Sequence, residues 1–157
     1  METKPIAIIT DSTCDIPDPL VEQYGIQVIP QLIIWGGQQY RDRVDIKPEE
    51  FYRRVKTDPQ RATTSQPSVT EFKAAYEQAA ARGAKDIIML TVSSAMSGTY
   101  QMAVNAAKLV STRVHVVDSK GPTMSLGFQV LAAARAVEDG LDVQGVLEKI
   151  NDLRQRL

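Results

Sequence analysis

The chain has 157 residues, 43% of them hydrophobic and 24% charged, with a formal net charge of -1. That length buries one substantial core, and the near-zero charge gives no bulk electrostatic reason to expect a nucleic-acid or membrane-surface partner. A single cysteine, Cys14, and a single histidine, His115, exclude an internal disulfide and a cysteine-based metal cluster, and they argue against a zinc site.

The apolar stretch near the N-terminus is too short for a signal segment or a spanning helix, so a cytoplasmic protein is the default expectation. "IAII" (6–9) reads as a strand running into the polar segment "TDSTCD". "DPLVEQY" follows as a helix, with Asp18 as N-cap, Pro19 at the first helical position and Gly25 as the stop. Residues 26–42 read as extended. "GG" punctuates a hairpin around residues 31–40, and Pro30 places it at a sheet edge or in a lobe beside the main sheet. In "YRDRVDI", Arg41 and Arg43 are expected to pair with Asp42 and Asp45 at the surface. Ser68 and Glu71 form a capping box, and Phe72, Ala75, Tyr76, Ala79 and Ala80 fall on one helical face that ends at Gly83. "IIML" (87–90) is a second strand. A helical face of Met96, Tyr100, Ala103, Ala107 and Val110 follows it, and "VHVV" (114–117) is a third strand. Beyond a helix stop at Gly140, Val143, Val146, Leu147, Ile150, Leu153 and Leu157 make one apolar face with no capping residue after it. Strand, loop and helix in this alternation predict an α/β domain of three layers, a mainly parallel sheet flanked by helices.

Three polar segments sit at strand ends, where open parallel sheets bind ligands. "TVSSAMSGT" carries Thr91, Ser93, Ser94, Ser97 and Thr99 with no acidic residue, cysteine or histidine among them. Hydroxyls beside the unpaired amides of a helix start form a neutral anion cradle, suited to a carboxylate or a phosphate, and a sensor domain for another small carboxylate is an alternative use of it. In "TTSQPS" the capping box accounts for Ser68, which leaves Thr63, Thr64, Ser65 and Gln66 available for ligand contact. Asp11 and Asp118 at strand ends could hold Mg²⁺ for phosphoryl transfer or hydrolysis, but bracing of neighbouring loops is the better expectation. His115 and Cys14 read as structural residues, and Trp35 as either lining an apolar pocket or packing the hairpin lobe.

Together "TDSTCDIP", "TTSQPS", "SSAMSGTYQMA" and "VHVVDSK" resemble the DegV family in order and spacing, across essentially the whole chain. That resemblance implies a bacterial lipid-binding protein without catalysis or cofactor. Its ligand is a long-chain fatty acid such as palmitate, which some members present to a separate fatty acid kinase subunit. The resemblance assigns the carboxylate to Thr63, Thr64, Ser93 and Ser94. Ser65, Gln66, Ser97 and Gly98 serve as supporting loop residues, as do Asp11, Ser12, Asp118 and Ser119. The family's frequent "DG" is Asp42-Arg43 here, which puts that turn in question. Matched to the family, residues 1–157 correspond to its N-terminal domain and Leu157 ends a fragment lacking the C-terminal domain. Weak or absent fatty-acid binding and an exposed apolar face available for dimerisation follow as expectations.

Overall fold

The computed structural model describes residues 5–157. In chain order the elements begin with β1 (Ile6–Asp11), α1 (Asp18–Tyr24), β2 (Gln27–Ile29), β3 (Leu32–Trp35), β4 (Gln38–Arg41) and α2 (Pro48–Thr57). They continue with β5 (Thr63–Ser65), α3 (Val69–Ala81), β6 (Asp86–Thr91), α4 (Thr99–Ala107), β7 (Arg113–Asp118), α5 (Thr123–Glu138) and α6 (Val143–Arg154). A 3-10 turn, Ser12–Cys14, follows β1 directly.

The main sheet is parallel in the order β2-β1-β6-β7. Every residue of β6 is buried, as a central strand covered on both faces must be, which is why "DIIMLT" shows little alternation. The pleat divides the core in two. Ile6, Ile8, Ile88 and Leu90 face α1, α5 and α6, whereas Ile9, Ile87 and Met89 face α3 and α4. The chain leaves β1 through α1 towards β2 and reaches β7 from β6 through α4, on the other face. The sheet therefore changes direction between β1 and β6, and the loops after those strands diverge around a crevice.

The hairpin belongs to a second, antiparallel sheet of order β4-β3-β5 and not to the edge of the main sheet. Gly36 and Gly37 both take positive φ, as a two-residue turn between paired Trp35 and Gln38 requires. Trp35, Ile33 and Ile46 form the core of this lobe, with Phe51 edge-on to Trp35 at 5.4 Å and the Arg54 guanidinium over the indole at 4.3 Å. Trp35 is thus packed within the lobe and does not line a ligand pocket.

Several boundaries differ from the sequence reading. Asp18 is the first helical residue of α1, behind Pro17 as N-cap, because Pro19 is accommodated at the second position as readily as the first. α4 begins only at Thr99, so Met96 stands outside it and is 63% exposed, and Val110 lies past its end. Leu157 lies beyond α6 and is 54% exposed, while Val146 and Ile150 carry that helix's buried contact. The reading assigns nothing to α2 or β5. α2 nonetheless bears ordinary signals: Pro48 at the start, Glu49 and Glu50 in the first turn, Arg54 and Lys56 in the last. β5 is three polar residues whose strand identity comes wholly from pairing with β3.

Candidate functional site

The crevice at the carboxyl ends of β1 and β6 is a cavity of about 370 Å³ roofed by the small lobe. Ser12, Gln31, Thr64 and Ser97 supply hydroxyl and amide groups to its wall; Ile33, Phe51, Tyr52, Val92 and Met96 supply apolar surface. A larger cavity of about 630 Å³ opens beside Ile6, Ile8, Tyr24, Ala79 and Val137. It arises because β2 pairs only with Ile9, Thr10 and Asp11, and it is remote from all three hydroxyl-rich segments. The first cavity is the one on which the hydroxyl-bearing segments converge beside apolar side chains.

The register of β5 decides which threonine reaches the cavity. Thr64 lies opposite Ile33 and Thr63 opposite Ile34, so Thr64 shares the face of Ile33, which lines the crevice. Thr63 is exposed on the other face. Gln66 packs its side-chain amide over Gly98, where an added Cβ would sit 3.4 Å from the Gln66 nitrogen, and Ser65 donates weakly to the Gln66 carbonyl at 3.4 Å. The Gln66–Gly98 contact joins the β5 segment to the loop after β6.

Within that loop the serines have separate roles. Ser94 donates its hydroxyl to the Asp118 carboxylate, which also accepts the Ser94 amide at 3.2 Å. Its proton is thereby committed, and Ser94 is not placed to donate to a ligand as the sequence reading expects. Ser93 is buried, accepts the Ala95 amide at 3.3 Å, and is no part of the cavity wall. The helix whose amides were to help Ser93 and Ser94 starts further on. Ser97, half-buried in the wall, accepts the Thr99 amide at 3.2 Å and stands 2.7 Å from the Thr99 hydroxyl. Thr99 is fully buried and accepts from the Gln31 side-chain amide at 3.0 Å.

The aspartates brace these loops. Asp11 accepts the Val92 amide at 2.8 Å, the Thr13 amide at 3.0 Å and the Thr13 hydroxyl. Asp118 accepts from Lys120 as well as Ser94; burial alone would raise its pKa, but these hydrogen bonds outweigh it and hold the carboxyl below its usual range. Ser119 is buried and closes the third loop by donating to the Gly121 carbonyl at 2.9 Å. Ser12 accepts the Gln31 amide at 2.9 Å and bonds Asp42, whose carboxyl is raised chiefly by burial.

Arg43 answers the question posed by its turn. It adopts φ 66°, the conformation glycine favours, and its guanidinium donates to the Ile16 carbonyl at 2.6 Å and to Asp18 at 2.8 Å, while its charge and backbone amide also act on Asp42. Arg41 does pair with Asp45, at 3.0 Å. Asp15, Lys120 and Thr123 also have positive φ, and Asp15, Arg43 and Thr123 all border the cavity. Such residues each store about 1–3 kcal/mol and tend to collect where a ligand is held. Cys14 is buried in the core and its thiol is pushed up to about 11 by burial, which removes it as a nucleophile at neutral pH. His115 sits on β7, 3.1 Å from Asp86.

A family model described as "Uncharacterised protein, DegV family" matches residues 5–157. The chain belongs to the DegV family. A DegV domain-containing protein of Staphylococcus aureus is 39% identical over 150 residues, covering 96% of this chain and 53% of that relative. Two solved DegV structures share the fold. One, titled for fatty acid binding, is a DegV family protein of Thermus thermophilus, with 35% identity, TM-score 0.87, and 96% and 54% of the two chains covered. The other is DegV of Bacillus subtilis, described as a fatty acid binding protein, with 30% identity, TM-score 0.89, and the same 96% and 54% covered. The chain thus spans about half the length of the DegV relatives it matches.

Among the cavity residues that carry no sequence assignment are Gln31, Phe51, Tyr52 and Thr123. A polar Gln31 interrupting "VIPQLIIW" was the one available signal.

Proposed function

We propose that this DegV chain binds a fatty acid by its carboxylate, with Thr64 and Ser97 donating hydroxyl protons and the acyl chain lying against Ile33, Phe51, Tyr52 and Met96. The observation that carries this reading is one cavity wall combining these two hydroxyls with that apolar surface. A volume of about 370 Å³ falls within the ~300–1,000 Å³ of small-molecule sites. The fatty-acid binding of the Thermus and Bacillus DegV proteins supports the ligand class. Relative to the sequence reading, the carboxylate moves from the Thr63, Thr64, Ser93 and Ser94 set to Thr64 and Ser97.

Asp15 and Asp42 also border the cavity, both carboxyls raised chiefly by burial; in this reading they shape the site, and the chemistry belongs to a separate protein, a kinase acting on the presented carboxylate. Tyr52 and Met96, 65% and 63% exposed at the cavity, are the surface that a second domain or a second copy of the chain would cover. Metal-dependent phosphoryl transfer through Asp11 and Asp118 finds no support in the geometry, since both carboxylates are turned to backbone amides and loop side chains.

The test is delipidated protein titrated with palmitate, alongside organic extraction and mass spectrometry of protein from its native host. Thr64→Ala with Ser97→Ala should weaken binding about tenfold or more, as loss of two hydrogen bonds to a charged group implies. Thr63→Ala and Ser93→Ala should leave it within twofold. Equal loss in both pairs, or a co-extracted ligand that is not a carboxylic acid, sinks the reading.

A further inference from the structure

We infer that Gln31 is a positioning residue that sets the direction of the hydroxyl proton on Ser97, so that the cavity presents a donor and prefers an acceptor-only head group. The inference rests on the carboxylate reading above and concerns how the site chooses among head groups.

A serine hydroxyl has one proton and accepts through two lone pairs, so what it offers a ligand depends on its other partners. The Gln31 side-chain amide donates to the Thr99 hydroxyl at 3.0 Å. Thr99 and Ser97 hydroxyls are 2.7 Å apart, and Ser97 also accepts the Thr99 backbone amide at 3.2 Å. With an incoming donor from Gln31, the Thr99 proton runs on to Ser97. Ser97 then has both lone pairs engaged, and its proton is the group left to face the cavity. Chains of this kind polarise each link, most strongly where water is excluded, and Thr99 is fully buried with Gln31 only 7% exposed. Rotating the Gln31 amide end for end would reverse the sequence. Thr99 would donate to the Gln31 oxygen, Ser97 to Thr99, and the cavity would meet a lone pair. A carboxylate would be repelled by that arrangement.

Gln31 is itself fixed. Its backbone amide donates to Ser12 at 2.9 Å, and the residue stands between Pro30 and the first residue of β3. The 3-10 turn after β1, the small sheet and the start of α4 thus meet at one residue, whose side chain also borders the cavity.

The experiment compares octanoate, 1-octanol and methyl octanoate as probes. All three are monomeric at sub-millimolar concentration, and binding is followed by the amide chemical shifts of Thr64, Ser97 and Thr99 in the intact chain. Octanol donates and accepts, so it is indifferent to the direction of the chain; octanoate only accepts. Gln31→Met keeps the volume and removes the donor. It should weaken octanoate roughly three- to tenfold, the loss of one hydrogen bond's worth of orientation, and shift octanol by less than twofold. Gln31→Glu, which as a carboxylate can only accept from Thr99, should weaken methyl octanoate relative to octanol, an effect that charge repulsion on a neutral ester does not produce. Equal losses for octanoate and octanol in Gln31→Met, or none for either, overturn the inference. Ser97→Ala separates the two levels. If it leaves octanoate binding intact, the carboxylate reading fails and takes the inference with it. If Ser97→Ala loses octanoate but Gln31→Met does not, the relay alone is wrong.

Discussion

Gly127, in the interior of α5, is the contact on which the first site loop is seated. A Cβ there would lie 2.4 Å from the Cys14 carbonyl oxygen, and 3.0 and 3.1 Å from the Met124 sulfur and methyl. Met124 is flexible and yields; the carbonyl is backbone, and the residue after it, Asp15, is already held at φ 52°. Since C···O contacts normally fall near 3.3–3.6 Å, Gly127→Ala requires a displacement of roughly 1 Å between α5 and the turn. Two effects compete. Replacing glycine by alanine in a helix interior gains about 1 kcal/mol, while forcing an extra methyl into a packed interface costs typically about 1–3 kcal/mol, towards the upper end when the obstacle is backbone. The net expectation is destabilisation by about 1–2 kcal/mol, a drop of about 2–8 °C in Tm for a domain of this size. Urea unfolding followed by far-UV circular dichroism and by Trp35 fluorescence measures it. Ala74→Gly on the exposed face of α3 calibrates the propensity part separately. A Gly127→Ala protein as stable as the parent, or more so, would refute the close approach. Because Ser12 and Thr13 line the cavity, the same substitution should also weaken the proposed fatty-acid binding.

Asp86 is lowered to about 2, first by the hydrogen bonds from Arg113 at 2.8 and 2.7 Å and further by His115. The unfolded chain, with an ordinary Asp, takes up its proton first, so this contribution is fully present above about pH 4 and is lost as pH falls towards 2. Arg113 is 71% exposed, so after screening the loss is on the order of 1 kcal/mol, and acid unfolding curves of Asp86→Asn should lack it. At Arg43 the left-handed backbone separates two substitutions: Arg43→Gly and Arg43→Ala both lose the bonds to Ile16 and Asp18, but alanine keeps the strain. Alanine should be the less stable by about 1 kcal/mol in urea, and equal stabilities would show that the turn relaxes.

What the sequence determined by itself is whatever depends on near neighbours along the chain. The capping box at Ser68 and Glu71, the glycine stops after α1 and α3 and the two-glycine hairpin turn each rest on bonds spanning a few residues, and they stand as read. The parallel sheet was legible because "IAII", "IIML" and "VHVV" recur with helices between them. The tertiary structure decided which hydroxyls face the cavity. Thr64 rather than Thr63 reaches it because β5 pairs with β3 in one register, a partnership across about thirty residues that three polar residues cannot announce. Ser94 is engaged by Asp118, and Thr99, the near neighbour of Ser97, accepts from Gln31, each through a bond between segments distant in sequence. Residue type announced an anion cradle; only the fold could say which of its hydroxyls border the cavity.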